Sequence, residues 1–167
     1  NVGEWINSTL SGNDGFDSIQ IAGDLVDSDL PLGEGDNYLS IGGAVVSSTI
    51  TAGSGDDTLL FGGAVSNSSI ALGDGNNLAL GVTTGVGLYT STLTSGSGND
   101  SIVFWEGSFN SSVASGSGDD SLHFGAWGTE SGSAGTGGSV NVNPSVIDAG
   151  EGNDSLSVVL GIVGTPV

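Results

Sequence analysis

The sequence predicts an all-β chain wound as a right-handed parallel β-solenoid of about seven 20-residue coils, and three observations predict it. A glycine loop recurs. The second glycine of a G-x-G pattern stands at Gly15, Gly35, Gly55, Gly75, Gly98, Gly118 and Gly152, with spacings of 20, 20, 20, 23, 20 and 34 residues. In that register the apolar residues fall into columns, which stacked coils convert into continuous ladders. Finally, 32 glycines among 167 residues, together with a period of two in the apolar pattern, argue against helices.

Each element of a coil follows in turn. Five residues before the loop glycine stand Leu10, Leu30, Ile50, Ile70, Leu93, Val113 and Ile147, the inward position of a first strand. Four residues after it come Ile19, Leu39, Leu59, Ala79, Ile102, Leu122 and Leu156. Six after it come Ile21, Ile41, Phe61, Gly81, Phe104, Phe124 and Val158. Residues two apart on a strand share a face, so these last two columns line one side of a second strand. In the fourth unit Leu78 and Leu80 suit a one-residue slip better than Ala79 and Gly81 do. "GGAV" at 42–45 and 62–65 supplies a tight turn and a third short extended piece. The whole chain, 1–167, reads as one domain with loop insertions near 81–90 and 125–145, where Gly, Ser and Thr concentrate. At ~4.8 Å per coil, seven coils make a rod of roughly 30–35 Å.

The charge balance narrows the chemistry. There are 19 acidic residues, no lysine or arginine and one histidine, for a formal net charge of −19. Such a surface repels nucleic-acid phosphates and anionic membranes, so neither nucleic-acid binding nor membrane insertion is expected. Hard carboxylate and carbonyl oxygens suit metal cations, calcium first. With no cysteine, disulfides and zinc thiolate sites are excluded. The first residue is Asn, which reads as a mature or excised segment, and the composition points to an extracellular or cell-surface location.

The loop itself, "AGSGDDTLL" at 52–60, places two glycines and then an Asp where a sharply turning backbone can aim carbonyls inward beside a carboxylate. One loop offers too few oxygens for calcium, whereas two loops one coil apart can complete a shell. "AGSGDDTL", "SGSGNDSI", "SGSGDDSL" and "AGEGNDSL" resemble the RTX nonapeptide family of "GGxGxD" calcium β-rolls. Because the loop occurs once per coil, with a "GG" turn after it as in "GSGDDTLLFGG", the pattern is most similar to the calcium-dependent ice-binding segment of bacterial RTX adhesins. The resemblance implies carboxylate ligands at Asp17, Asp57, Asp100, Asp120 and Asp154, with Asn37 and Asn77 offering a neutral oxygen at the same place. It also implies carbonyl ligands from loop glycines including Gly33, Gly53, Gly96, Gly116 and Gly150, and up to about six Ca2+ between seven stacked loops. Six ions would bring −19 to about −7, and folding coupled to calcium follows. The first unit departs from the pattern, with Asn13 in place of a glycine and Phe16 in place of a polar residue. Asp and Asn can also serve solvated turns without any metal.

Other features have plainer readings. Sequons begin at Asn7, Asn67 and Asn110, each eight residues before a loop glycine, so glycans there would stand on one edge of the rod. The same corner carries Asp27, Ser47 and Thr90 in other coils, as a position wanting a small polar turn residue would. His123 alternates with Leu122 and Phe124 and is expected to face outward without a catalytic partner. The acidic pairs at 56–57 and 119–120 belong to the repeated loop rather than to a hydrolase dyad. Trp5, Trp105 and Trp127 are expected to cover a coil end or an insertion. An ice-binding face needs outward threonines, and between the loop glycines stand Asp14, Glu34, Ser54, Asp74, Ser97, Ser117 and Glu151.

The functional expectation is a non-enzymatic, extracellular, calcium-stabilised structural protein, a filament or surface-layer subunit that self-associates end to end. The alternatives are an adhesin spacer or a module contacting carbohydrate or ice, and the calcium-triggered C-terminal segment of a secreted hydrolase or toxin.

Overall fold

The computed structural model describes residues 5–125, 139–142 and 145–158. Every regular element among them is a strand, and the strands form three sheets that wind into a parallel β-solenoid of about six turns. Sheet A holds seven four-residue strands from Ser18–Ile21 to Ser155–Val158. Sheet B holds six two-residue strands from Trp5–Ile6 to Ser108–Phe109. Sheet C runs from Asp29–Pro31 to Ser145–Asp148, and one further strand, Ser139–Val142, lies beyond its last parallel member. Each coil therefore passes through sheet C, the glycine loop, sheet A, a turn ("GG" at 42–43 and 62–63) and sheet B, then turns a corner into sheet C again.

The apolar columns are the core. Leu30, Ile50, Ile70, Leu93, Val113 and Ile147 line it from sheet C, Leu39, Leu59, Ala79, Ile102 and Leu122 from sheet A, and Leu25, Val45, Val65 and Leu88 from sheet B; all are buried. A coil buries only a few side chains, but each is sealed above and below by its equivalents, so the core is continuous along the axis. Phe104 and Phe124 stack with centroids 6.2 Å apart and planes at 7°.

The fourth coil corrects one expectation. No slip occurs: Ala79 pairs with Leu59 and Ile102, while Leu78 and Leu80 occupy the outward positions. A slip would turn every side chain of the strand to the opposite face and break the ladder on both sides. The hole left at Gly81, where neighbouring coils place phenylalanine, is filled in two ways. Val86, from the insertion, is buried beside Gly81, where even a Cβ would lie 2.8 Å from its Cγ1. Phe61 and Phe104 also approach across the missing ring to 5.9 Å. The insertion thus supplies Val86 to the core while residues 82–85 lie exposed, and register resumes at Leu88–Tyr89.

The second insertion falls partly at 126–138 and 143–144, outside the described residues. Within it Ser139–Val142 is a strand, pairing antiparallel with Ser145–Asp148. It is the one antiparallel pairing among the described residues, and it closes the C-terminal edge of sheet C.

Candidate metal centre

The glycine loops stack along the edge between sheets C and A. In most loops both glycines take φ values that side chains rarely adopt, as with Gly53 at +101° and Gly55 at +120°, Gly96 being an exception. A Cβ on Gly53 would also run into the carbonyl oxygen of Gly33 in the coil before. Only glycine lets consecutive loops nest this closely.

Two residues after the second glycine, the Asp or Asn side chain turns into the rod. Asn37, Asp57, Asn77, Asp100 and Asp120 are all at most 2% exposed. One oxygen of each accepts the backbone N–H of its equivalent in the preceding coil. Thus Asn37 N–H donates to Asp57 Oδ1 at 2.8 Å, Asp57 N–H to Asn77 Oδ1 at 3.0 Å, and Asn77 N–H to Asp100 Oδ1 at 2.8 Å. Asp100 N–H then donates to Asp120 Oδ1 at 2.8 Å, and Asp120 N–H to Asp154 Oδ1 at 3.0 Å. The ladder supplies partners for backbone groups that the loop removes from the sheets.

The second atom of each side chain divides the column. Asn37 Nδ2 donates to the carbonyls of Gly35 at 2.8 Å and Gly33 at 3.3 Å, and Asn77 Nδ2 donates to those of Gly75 at 3.0 Å and Gly73 at 3.1 Å. In the aspartate coils Oδ2 takes that place and has nothing to donate. The Oδ2 atoms of Asp57, Asp100, Asp120 and Asp154 are buried and have no hydrogen-bond partner. By the coil repeat, the carbonyls around Asp57 Oδ2 are those of Gly53 and Gly55. An ionised oxygen set against carbonyl oxygens away from water is costly unless a cation lies between them. Burial accordingly pushes the Asp57 carboxyl up to about 6, and burial raises Asp100 as well.

These residues fit a calcium ion by the chemistry of their donors: a carboxylate oxygen, loop carbonyls and no competing basic side chain. No three carboxylates or imidazoles converge among the described residues. A site here would draw one carboxylate from a loop and its remaining oxygens from the backbone. Asp17 stands apart, since its Oδ2 accepts the Asn13 N–H at 2.8 Å within its own loop.

Compared with family models, with curated proteins and with solved structures, the chain matches none. Its chemistry is therefore read from its own geometry.

The acidic pairs separate. Asp56 is exposed and accepts the Asn76 N–H at 2.7 Å, while its neighbour Asp57 is buried. Asp119 and Asp120 divide in the same way, Asp119 accepting the Asn153 N–H at 2.9 Å. The loop edge thus carries an outer Asx ladder beside the inner one. His123 lies outward, edge-on to Trp105 with centroids 5.1 Å apart. Trp5 packs partly buried against the first coil, and Trp127 lies outside the described residues. Paired outward threonines do occur, Thr49 with Thr51 and Thr92 with Thr94, but on sheet C rather than between the loop glycines.

The sequon corner has a conformational cause. Asn7, Asp27, Ser47, Asn67, Thr90 and Asn110 all have φ between 47° and 51°, the left-handed region that Asn and Asp tolerate best. Each is exposed. The next residue forms a ladder that sequence reasoning missed. Ser28, Ser48, Ser68, Ser91 and Ser111 are buried, and each hydroxyl accepts the N–H of the serine one coil earlier, beginning with that of Ser8. The signal was present as an unbroken serine column at 8, 28, 48, 68, 91, 111 and 145.

Proposed function

We propose that this chain is a calcium-stabilised structural β-solenoid working outside the cell, as a protomer of a filament or surface layer and not as an enzyme. One observation carries the reading: four buried carboxylate oxygens without partners, stacked on one edge of a rod that contains no basic side chain. Asp57, Asp100, Asp120 and Asp154 would hold the ions with the carbonyls of their loops, including Gly53, Gly96, Gly116 and Gly150. Bound calcium supplies the positive charge that lets successive carboxylates approach within ~5 Å. The protein's own work is to hold each carboxylate by a backbone N–H, aim carbonyls at it and exclude water.

End-to-end self-association belongs to this reading, since parallel coils with unpaired edges accept further strands. The exposed asparagines at 7, 67 and 110 could carry glycans along one corner. A second reading, a discrete spacer module in an adhesin, is favoured by the antiparallel strand Ser139–Val142, because a parallel coil cannot add directly over it.

Negative-stain electron microscopy in millimolar calcium, repeated after chelation with far-ultraviolet circular dichroism, separates the two. Calcium-dependent fibres are expected. Short discrete particles at high concentration favour the spacer, and a rod whose spectrum and melting ignore chelation would sink the calcium reading.

A further inference from the structure

The seven inward positions read Asp17, Asn37, Asp57, Asn77, Asp100, Asp120 and Asp154, and only some of them leave an oxygen unpaired. The amide orientation of Asn37 and Asn77 is set by their partners, an N–H donor on the oxygen side and carbonyls on the nitrogen side. Asn37 Nδ2 reaches the next coil too, at 3.4 Å from the Ala52 carbonyl, and Asn77 Nδ2 lies 3.4 Å from Ser95 Oγ. An amide nitrogen therefore sits where an ion would have to sit, and its protons occupy the lone pairs an ion would need. Asp17 is set apart in another way: it is only half-buried, and its Oδ2 already accepts the Asn13 backbone N–H.

We propose that Asn37 and Asn77 are permanent replacements for the metal, so that ions enter only the Asp57, Asp100, Asp120 and Asp154 loops. The inference rests on the calcium reading and divides the rod. Asp57 is an isolated site between two amide-locked coils. Asp100, Asp120 and Asp154 form an unbroken run of carboxylates, and its first two loops begin with Ser95 and Ser115, where the amide coils have Leu32 and Leu72. The coils around Asn37 and Asn77 keep their loop geometry without calcium, and the coils from Asp100 onward depend on it.

Calcium titration of the full chain by calorimetry, with ions counted by native mass spectrometry, tests the division. Four ions are expected for the wild type, three for Asp57→Asn and five for Asn77→Asp. Hydrogen exchange on the wild type with and without calcium is the companion measurement and needs no variant to fold. Chelation is expected to strip protection from 95–125 and 145–158 while 38–52 stays protected. Six ions, a count unmoved by the two substitutions, or loss of protection spread evenly along the chain would overturn the inference while leaving calcium binding intact. Binding of no ion at all would overturn the calcium reading beneath it.

Discussion

In calcium-free buffer the stability contributed by the Asp57 site should fall as pH rises, the sense opposite to that of a carboxylate whose partners lower its pKa. The Asp57 carboxyl titrates at about 6 in the fold against 3.8 for the free side chain, chiefly because it is buried. A raised folded pKa means that folding favours the protonated form. The contribution is therefore fully present below about pH 4 and is lost as pH rises through about 6. At Asp57 a difference of roughly two units corresponds to about 3 kcal/mol. Protonated, the Asp57 hydroxyl can donate to the Gly53 or Gly55 carbonyl as the Asn37 amide donates to Gly33 and Gly35. General relief of charge repulsion acts in the same direction, so the comparison needs Asp57→Asn, which keeps the shape and removes the titration. In calcium-free buffer, thermal melts by circular dichroism at pH 4 and pH 7 should show the wild type losing about 3 kcal/mol more than the variant. For a chain of this size that is roughly 6–12 °C in Tm. With saturating calcium the difference should close at pH 7, since the ion replaces the proton. Equal pH dependence in the two proteins without calcium would refute the reasoning.

Two further predictions address the parts of the coil that hold the loops in place. Ser68→Ala removes the acceptor of the buried Ser48 N–H, 3.1 Å away, and should cost about 1–3 kcal/mol and speed amide exchange at Ser48, whereas Ser69→Ala on the outer face should be close to neutral; equal denaturation midpoints for the pair would remove the serine ladder from the list of stabilising elements. Phe104→Ala opens the stack between Phe61 and Phe124 and should cost about 3–5 kcal/mol by denaturant unfolding, and a loss below about 1 kcal/mol would mean that the neighbouring rings collapse into the gap.

Residues whose role depends on repetition were legible in the sequence. The glycine loops, the inward Leu, Ile, Val and Phe columns, the outward setting of His123 and the "GG" turns all follow from period 20 and period 2, and the structure places each of them so. Where repetition broke, sequence reasoning went astray. In the fourth coil the larger apolar residues suggested a slip, because Gly81 looked like a defect in a column. Its complement, Val86, comes from an insertion whose path no periodicity predicts. The serine column was visible yet unread, since a small polar residue beside a corner suggests exposure rather than a buried hydrogen-bond ladder.

By itself the sequence determined that this chain winds into stacked coils, which residues face inward, and which loop carries the acidic groups, because those properties follow from spacing alone. Tertiary structure decided which of seven similar loops leave a carboxylate oxygen unpaired. Asn and Asp are nearly the same shape and occupy the same position in the coil. Only the carbonyls packed around the side chain, in its own loop and the next, make a pair of amide protons sufficient at Asn37 and leave Asp57 Oδ2 buried without a partner.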